Sequence, residues 1–366
     1  MALLLAGRTE HAILSLEEAR ERFRAIANAQ ANTAAEGMTA VCLADQGTCL
    51  LQLGRLDEAA AACDECIRLA QQLGDDRQVA VSKGQLGIVR FEQCRYPEAL
   101  AAQIEARELF TRFNEPGNVA IGWHEIGMIY QEMGHAETAE DAFRQALAIC
   151  TRTGNCDGEA RSLAQLGTLY SDELSRPEQG ASLIRQVADI HASLQNKIEE
   201  GRQRSNLACT LRKLRRYDDA RQEIHDALKC LEQFGHSAAA WMAWAILADI
   251  EADAGIAQAA TEARNNAIDC YLAYRRDGGE NHLPQGRLCA HVAQSLLVGD
   301  GQATVNLLKQ LIAKAKTPVE LAYFHVLQAI ASGSRDVTLA DHAEFDYTVA
   351  AEILHLIETL EKHRPG

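Results

Sequence analysis

The chain has 366 residues, with 36 Lys and Arg against 51 Asp and Glu and a formal net charge of −15. That balance excludes nucleic acid as the main partner, because phosphate contacts need a basic footprint, and it favours neutral or basic ligands. No run approaches the about 18 apolar residues that span a bilayer, and 11 Cys, an odd number scattered along the chain, make no disulfide framework but suit a reducing, cytoplasmic setting.

One rule runs through the predicted elements. Gly7, Gly47, Gly87, Gly127 and Gly167 stand 40 residues apart, and after one inserted residue the series continues as Ala208 and Ala248. A small residue at a fixed period marks stacked repeats. At the start, MALLLAG is apolar, and Ser15-Leu16-Glu17-Glu18 reads as a capping box opening a second helix that carries Ala19, Phe23 and Ile26. Residues 1–39 therefore read as a partial first repeat. A terminal repeat needs a polar outer face, so a further segment is expected to precede residue 1. A secretory leader does not fit, since Leu3–Leu5 lack a basic flank and a cleavage site.

Six full units follow over residues 40–280. The third is AIGWHEIGMIYQEMGHAETAEDAFRQALAI, residues 120–149. Trp123, Ile126 and Tyr130 fall at helical spacing around Gly127. Beyond the turn at Gly134-His135, Ala139, Phe143, Ala146 and Ile149 make a second stripe. Gly127 facing Ala139 lets the two helices approach, with Tyr130 and Phe143 filling the space beside them. The other units repeat this: Leu86-Gly87 with Ala99 and Ala106, Leu166-Gly167-Tyr170 with Gly180, Ile184 and Val187, Leu207-Ala208-Leu211 with Ala220, Ile224 and Ala227, and Trp244-Leu247-Ala248 with Ala260 and Ala267. From residue 281 the pattern degrades. Residues 283–298 and 302–315 read as one more hairpin, and Thr317 caps a helix with Pro318 first and Glu320 reaching back. A final helix turns Ala350, Ile353, Leu354, Ile357 and Leu360 one way, as a cap for the last repeat requires.

The third unit resembles the tetratricopeptide-repeat family: its Trp123, Ile126-Gly127, Tyr130, Ala139, Phe143 and Ala146 match that family's signature, with Ile in place of Leu. The period exceeds the usual value of about 34; the extra residues lie at the end of the second helix and in linkers such as LGDDRQ and FNEPGN, and the closing Pro is missing. Such a long period is similar to kinesin-light-chain-like arrays and to the C-terminal sensor arrays of bacterial STAND-type signalling ATPases. The resemblance covers residues 1–280. It implies an all-α, right-handed superhelical solenoid of helix hairpins with a helical C-terminal cap over 281–366, and an inner groove lined by the first helices. It also implies a non-enzymatic protein- or peptide-binding sensor or recognition domain, the C-terminal region of a larger bacterial signalling or defence protein with an ATPase or effector domain before the array. Two other readings stand beside it: a free-standing assembly scaffold, and the substrate-recruiting arm of a protease whose chemistry sits elsewhere.

The sequence has no phosphate-binding loop, no nucleophile elbow and no His-Glu-x-x-His, so it points to no enzyme and no cofactor. Cys63 and Cys66, one helical turn apart, lack a second ligand pair and read as core rather than metal ligands. His124, His191, His225 and His291 read as surface or groove residues. The resemblance implies that the position two before each small signature residue, just ahead of the Leu-Gly pair, faces the groove, and there stand Asp45, Gln85, Glu125, Gln165 and Asn206. This polar column suits an extended peptide backbone; a solvated face is the alternative. Around it, Val81, Ile88 and Phe91 are apolar, Ile121, His124, Met128 and Gln131 mixed, Arg202, Arg212 and Lys213 basic, and Met242, Asp249 and Asp253 mixed acidic. The Arg202–Arg216 segment offers charge to a peptide with an acidic end, unless it is spent on Asp218, Asp219 and Glu223. A ligand with its apolar part near Phe91 and Met128 and its acidic part near Arg202 and Arg212 is the resulting expectation.

Overall fold

The computed structural model describes residues 2–281 and 283–363; among them are seventeen α-helices and no strand. No helix of the described residues is long and apolar enough to cross a membrane. The chain divides into two compact units, Met1–Ile190 and His191–Gly366.

The first unit opens with α1 (Ala2–Gln30). Hairpins follow: α2 (Thr33–Gln52) with α3 (Leu56–Leu73), α4 (Asp76–Glu92) with α5 (Tyr96–Arg112), α6 (Pro116–Glu132) with α7 (Ala136–Thr153), and α8 (Cys156–Asp172) with α9 (Pro177–Ser193). The expected helix start at Ser15 is not there: α1 runs through it, and the Ser15 hydroxyl donates to the His11 carbonyl at 2.9 Å instead of capping an N-terminus. With helix continuing on both sides, the hydroxyl has a carbonyl one turn back and no open amide to accept from. The apolar side chains of Leu3, Leu4 and Leu5 lie outside the described residues.

The glycine ladder is the contact on which each hairpin closes. A Cβ on Gly127 would lie 2.6 Å from Phe143 Cε1, one on Gly87 2.7 Å from Gln103 Nε2, and one on Gly47 3.1 Å from Cys63 Sγ. These partners each stand sixteen residues after their glycine. At Gly167 the partner is Ile184, at 2.6 Å, one residue later because of the insertion. Phe143 thus lies directly over Gly127, rather than beside a Gly127–Ala139 contact: a flat ring fills the gap that the missing side chain leaves. Cys63 and Cys66 are fully buried core residues; burial pushes the Cys63 thiol up to about 12, and Cys66 accepts from Ser82 Oγ at 3.0 Å.

Turns and caps repeat with the same period. Within the hairpins, one residue has left-handed backbone: Gly54, Gly134 and Gly255 at φ 71°, 76° and 80°, and Cys94 and Arg215 at 58° and 57°. Before the first helices, Asp75, Asn155 and Asn196 accept from the amides of Gln78, Gly158 and Glu199, so the linkers supply N-caps. Between hairpins, the buried Glu140 ties α7 to α8: Tyr170 Oη donates to its Oε1 at 2.8 Å, and the exposed Arg144 and Arg176 pair with the same carboxylate at 2.6 and 3.2 Å.

In the second unit, α10 (Lys197–Lys213) pairs with α11 (Tyr217–Leu231), and α12 (Ala240–Asp253) with α13 (Ala257–Arg276). Arg221 reaches from α11 to Glu251 on α12 with two bonds, at 2.8 and 3.0 Å. Then come α14 (Pro284–Leu297), α15 (Gly301–Lys314), α16 (Pro318–Ala331) and α17 (Tyr347–Lys362). Thr317 and Glu320 form the capping box read from the sequence. Ala350, Ile353, Ile357 and Leu360 of α17 are buried in one core with Tyr271, Val292, Leu327 and Ile330. Within it Glu352, 1% exposed, accepts from Tyr271 Oη at 3.2 Å and Asn281 Nδ2 at 2.7 Å and pairs with Arg275 at 2.7 Å.

Two glycine replacements should therefore act in opposite directions. Gly127→Ala should lower stability by about 1–3 kcal/mol, because the new methyl overlaps Phe143. Gly37→Ala, in α2 with nothing within 4 Å of the new Cβ, should raise it by up to about 1 kcal/mol through helix propensity. Urea denaturation of both variants beside the wild type checks the pair; equal effects would remove Gly127 from the helix contact.

Candidate recognition surface on the first helices

Successive first helices pack on one another: α2 on α4, α4 on α6, α6 on α8, and, in the second unit, α10 on α12. The expected column lies along them. In the first unit Asp45 is exposed and Gln85, Glu125 and Gln165 are half-buried; in the second, Asn206 is exposed. Gln85 Nε2 bridges α4 to α2 by donating to Thr48 Oγ1 at 3.0 Å, while its Oε1 is buried without a partner. Burial raises the Glu125 carboxyl above its ordinary range, against the pull of Arg161. Ile88 and Phe91 are half-buried, with the Phe91 ring 5.8 Å from Tyr96. Met128 packs against the cluster of Phe143, Leu166 and Tyr170.

The basic segment of the second unit is largely paired. Arg202 bonds Glu199 one turn back. Arg204 holds Glu200 at 3.1 Å and Glu223 at 2.9 Å, and Arg216 holds Asp219. Arg212 reaches Asp249 and, at 3.4 Å, Asp253 on α12. Of the acids weighed from the sequence, Glu223 and Asp219 pair inside the segment, whereas Asp218 pairs with Arg221. Lys213 is exposed, and Asn206 Nδ2 donates to Gln203 Oε1 at 3.4 Å. The Arg202–Glu199 pair lies open to solvent, and an exposed pair contributes only about 0–1 kcal/mol, so an incoming carboxylate can exchange with it.

Sequence reading missed a second place. A cavity of about 240 Å³ lies between α6 and α8, lined by Ile121, His124, Cys150, Asn155, Gly158 and Arg161 among others. Ile121 is 49% exposed. His124, expected at the surface or in the groove, is only 8% exposed; its ring lies 5.5 Å from Phe143 and its Nδ1 has no partner. A Cβ on Gly158 would fall 2.5 Å from Cys150 Sγ, so α8 starts where only glycine fits. Arg161 occupies in α8 the place that Ile121 has in α6, 40 residues earlier. That register, with Asn155 and Gly158 at the linker, was the available signal.

Burial, aided by the charge of Arg161, lowers the His124 pKa to about 4. The depressed value means the folded state resists a proton that the unfolded chain takes up near pH 6.5. Stability from this residue is full above about pH 6.5 and is lost as pH falls through 6.5 towards 4. His124→Leu should flatten the wild-type decline in that window by up to about 3 kcal/mol, read from urea midpoints at stepped pH. An identical decline in the variant would assign it to other groups.

Tetratricopeptide-repeat family models match residues 39–112 and 118–193, and a second such model matches 202–233. Among solved structures, BtubC (BKLC) from P. vanneervenii is 17% identical, with 75% of this chain and 94% of that chain covered and a TM-score of 0.48. A putative kinesin light chain with nearly identical repeats from Podospora anserina is 14% identical, covering 53% of this chain and 95% of that one, at a TM-score of 0.46. The STAND signal-transduction ATPase PH0952 from Pyrococcus horikoshii, with a tetratricopeptide-repeat sensor, is 12% identical over 91% of this chain and 53% of its own, at a TM-score of 0.50. Over residues 39–112, 118–193 and 202–233 the chain thus carries tetratricopeptide repeats.

Proposed function

We propose that the chain is a non-enzymatic recognition array that binds a protein or peptide along its first helices. The repeat family supports protein binding as the general role, and such arrays present extended surfaces built from one helix per repeat. The observation that carries the reading is the column of polar side chains at one place per repeat, half-buried at Gln85, Glu125 and Gln165, next to apolar Ile88, Phe91 and Met128. Polar side chains held at the spacing of the repeats meet donors and acceptors of an extended backbone, and the apolar side chains take up residues between them. In the second unit, Asn206, Arg202, Arg212 and Lys213 serve an acidic stretch or a terminal carboxylate. The same reading makes the array the sensor region of a larger signalling protein, a role that the Pyrococcus structure's description gives to its own repeats. An antibody raised against the chain should then detect a band well above 40 kDa in cells of the source organism.

Binding of peptides selected from a random library tests the array reading. Gln165→Ala with Met128→Ala, and separately Asn206→Ala with Arg202→Glu, should each weaken the selected peptides, with about 1.5–3 kcal/mol lost for a charge-assisted bond. The melting temperature should change little. Unaltered affinity in both double variants would remove the first helices from the ligand.

A further inference from the structure

In the earlier hairpins the second helix carries the first helix that follows it: α4 on α3, α6 on α5, α8 on α7 and α12 on α11. On α13 a contact of this kind is made by α17, whose Glu352 stands 81 residues beyond Tyr271. The seat is polar at its centre. Glu352 is 1% exposed, and Tyr271 Oη, Asn281 Nδ2 and Arg275 all converge on its Oε1, while Oε2 is buried without a partner. Arg275 Nε, 2.7 Å from Oε1, is out of line for a hydrogen bond. One turn along α17, His355 is half-buried, and its Nδ1 is closed to water and bonded to nothing. Three such defects weaken the seat, because a buried polar atom without a partner opposes its own burial.

The surroundings of His355 make it sensitive to a proton. Burial, then the charge of Arg275 on α13, lowers its pKa against the pull of Glu352 and Glu358; Lys362 lowers it further. Glu358 is paired with Arg276. Among the described residues, no charged side chain of α14, α16 or the turn at residues 337–341 acts on the ring. Geometry points the same way. An imidazolium carries hydrogen on both nitrogens, and a hydrogen on Nδ1 finds no acceptor while α17 stays seated. The new charge also repels Arg275, the ion partner of Glu352.

We propose that α17 is a releasable end piece of the second unit and that a proton on His355 unseats it. Release uncovers Ile268, Tyr271 and Leu272 of α13, which share one core with the apolar face of α17. The sign follows from where the proton binds better. The open state takes it up near pH 6.5 and the seated state resists it, so acid shifts the balance towards open. This device stands apart from recognition by the first helices, and neither depends on the other.

Hydrogen–deuterium exchange of the full chain, corrected for intrinsic exchange, tests it at about pH 7.5 and about pH 5.5, on either side of the ordinary histidine value. Opening of α17 should rise by up to about 10-fold between the two, the ratio of charged to neutral imidazole in the open state at the lower value. Protection of α10, α11 and α12 should hold. His355→Leu and His355→Gln should each cancel the rise, and His291→Gln, at an exposed position of α14, should leave it. Acceleration shared equally by α10–α12 would mean that the unit opens as a whole and would overturn the proposal. So would an α17 that does not respond to acid, or a full response in both His355 variants.

Discussion

The distance at which two helices can close on each other governs this chain. In each hairpin of the first unit a glycine on the first helix leaves a gap that a side chain of the second helix enters, with Phe143 over Gly127 and Ile184 over Gly167 the tightest cases. The close approach lets both helices bury one stripe in a chain with only 5% aromatic residues, where bulk alone could not fill wider spaces. It also fixes the turn. Two helices that must meet sixteen residues apart need a short link, and each link uses one left-handed residue, glycine at Gly54 and Gly134 and a strained substitute at Cys94. The period of 40 is the length of this closed hairpin plus a capped linker.

Recognition follows from what the packing leaves over. The second helices α3, α5 and α7 are each held between two first helices, their own and the next, and their apolar stripes are consumed. First helices keep one face on which side chains of matching position stand side by side. That is why polar residues recur there without being solvated at random: Gln85 is already bonded across to Thr48, and Glu125 is buried enough to shift its titration. Electrostatics sorts the basic residues of the chain into two kinds. Most are neutralised by acids one turn away or on the next hairpin, as a net charge of −15 makes easy. Arg161 stays without such an acid although Glu125 is near, and it stands at the mouth of the cavity that holds a buried histidine.

What the sequence reveals here is whatever is periodic or local. The glycine ladder, the paired apolar stripes, the Thr317 capping box and the apolar face of α17 all appear in the chain as short-range patterns; the folded structure uses the last two as read and closes the ladder on Phe143 rather than Ala139. The failures are long-range or context-bound. Ser15-x-x-Glu18 has the composition of a cap, yet its amides are already held by the turn before, so the helix continues. Asp253 beside Arg212, Arg176 beside Glu140 and Tyr271 beside Glu352 stand about 35 to 80 residues from their partners, and composition alone does not choose among the groups available. The burial of His124 depends on Phe143 beneath it and on the start of α8 beside it. Only the register that aligns Arg161 with Ile121 hints at the cavity, and register says where a side chain stands but not what space surrounds it.

Hydrogen–deuterium exchange of the full chain, with and without the tightest library peptide, tests first-helix recognition most directly. New protection should appear in α4, α6 and α8 of the first unit or in α10 of the second, with α5 and α7 unchanged, because backbone opening slows where a ligand covers or braces a helix. Protection confined to the second helices, or to α14–α17, would contradict it.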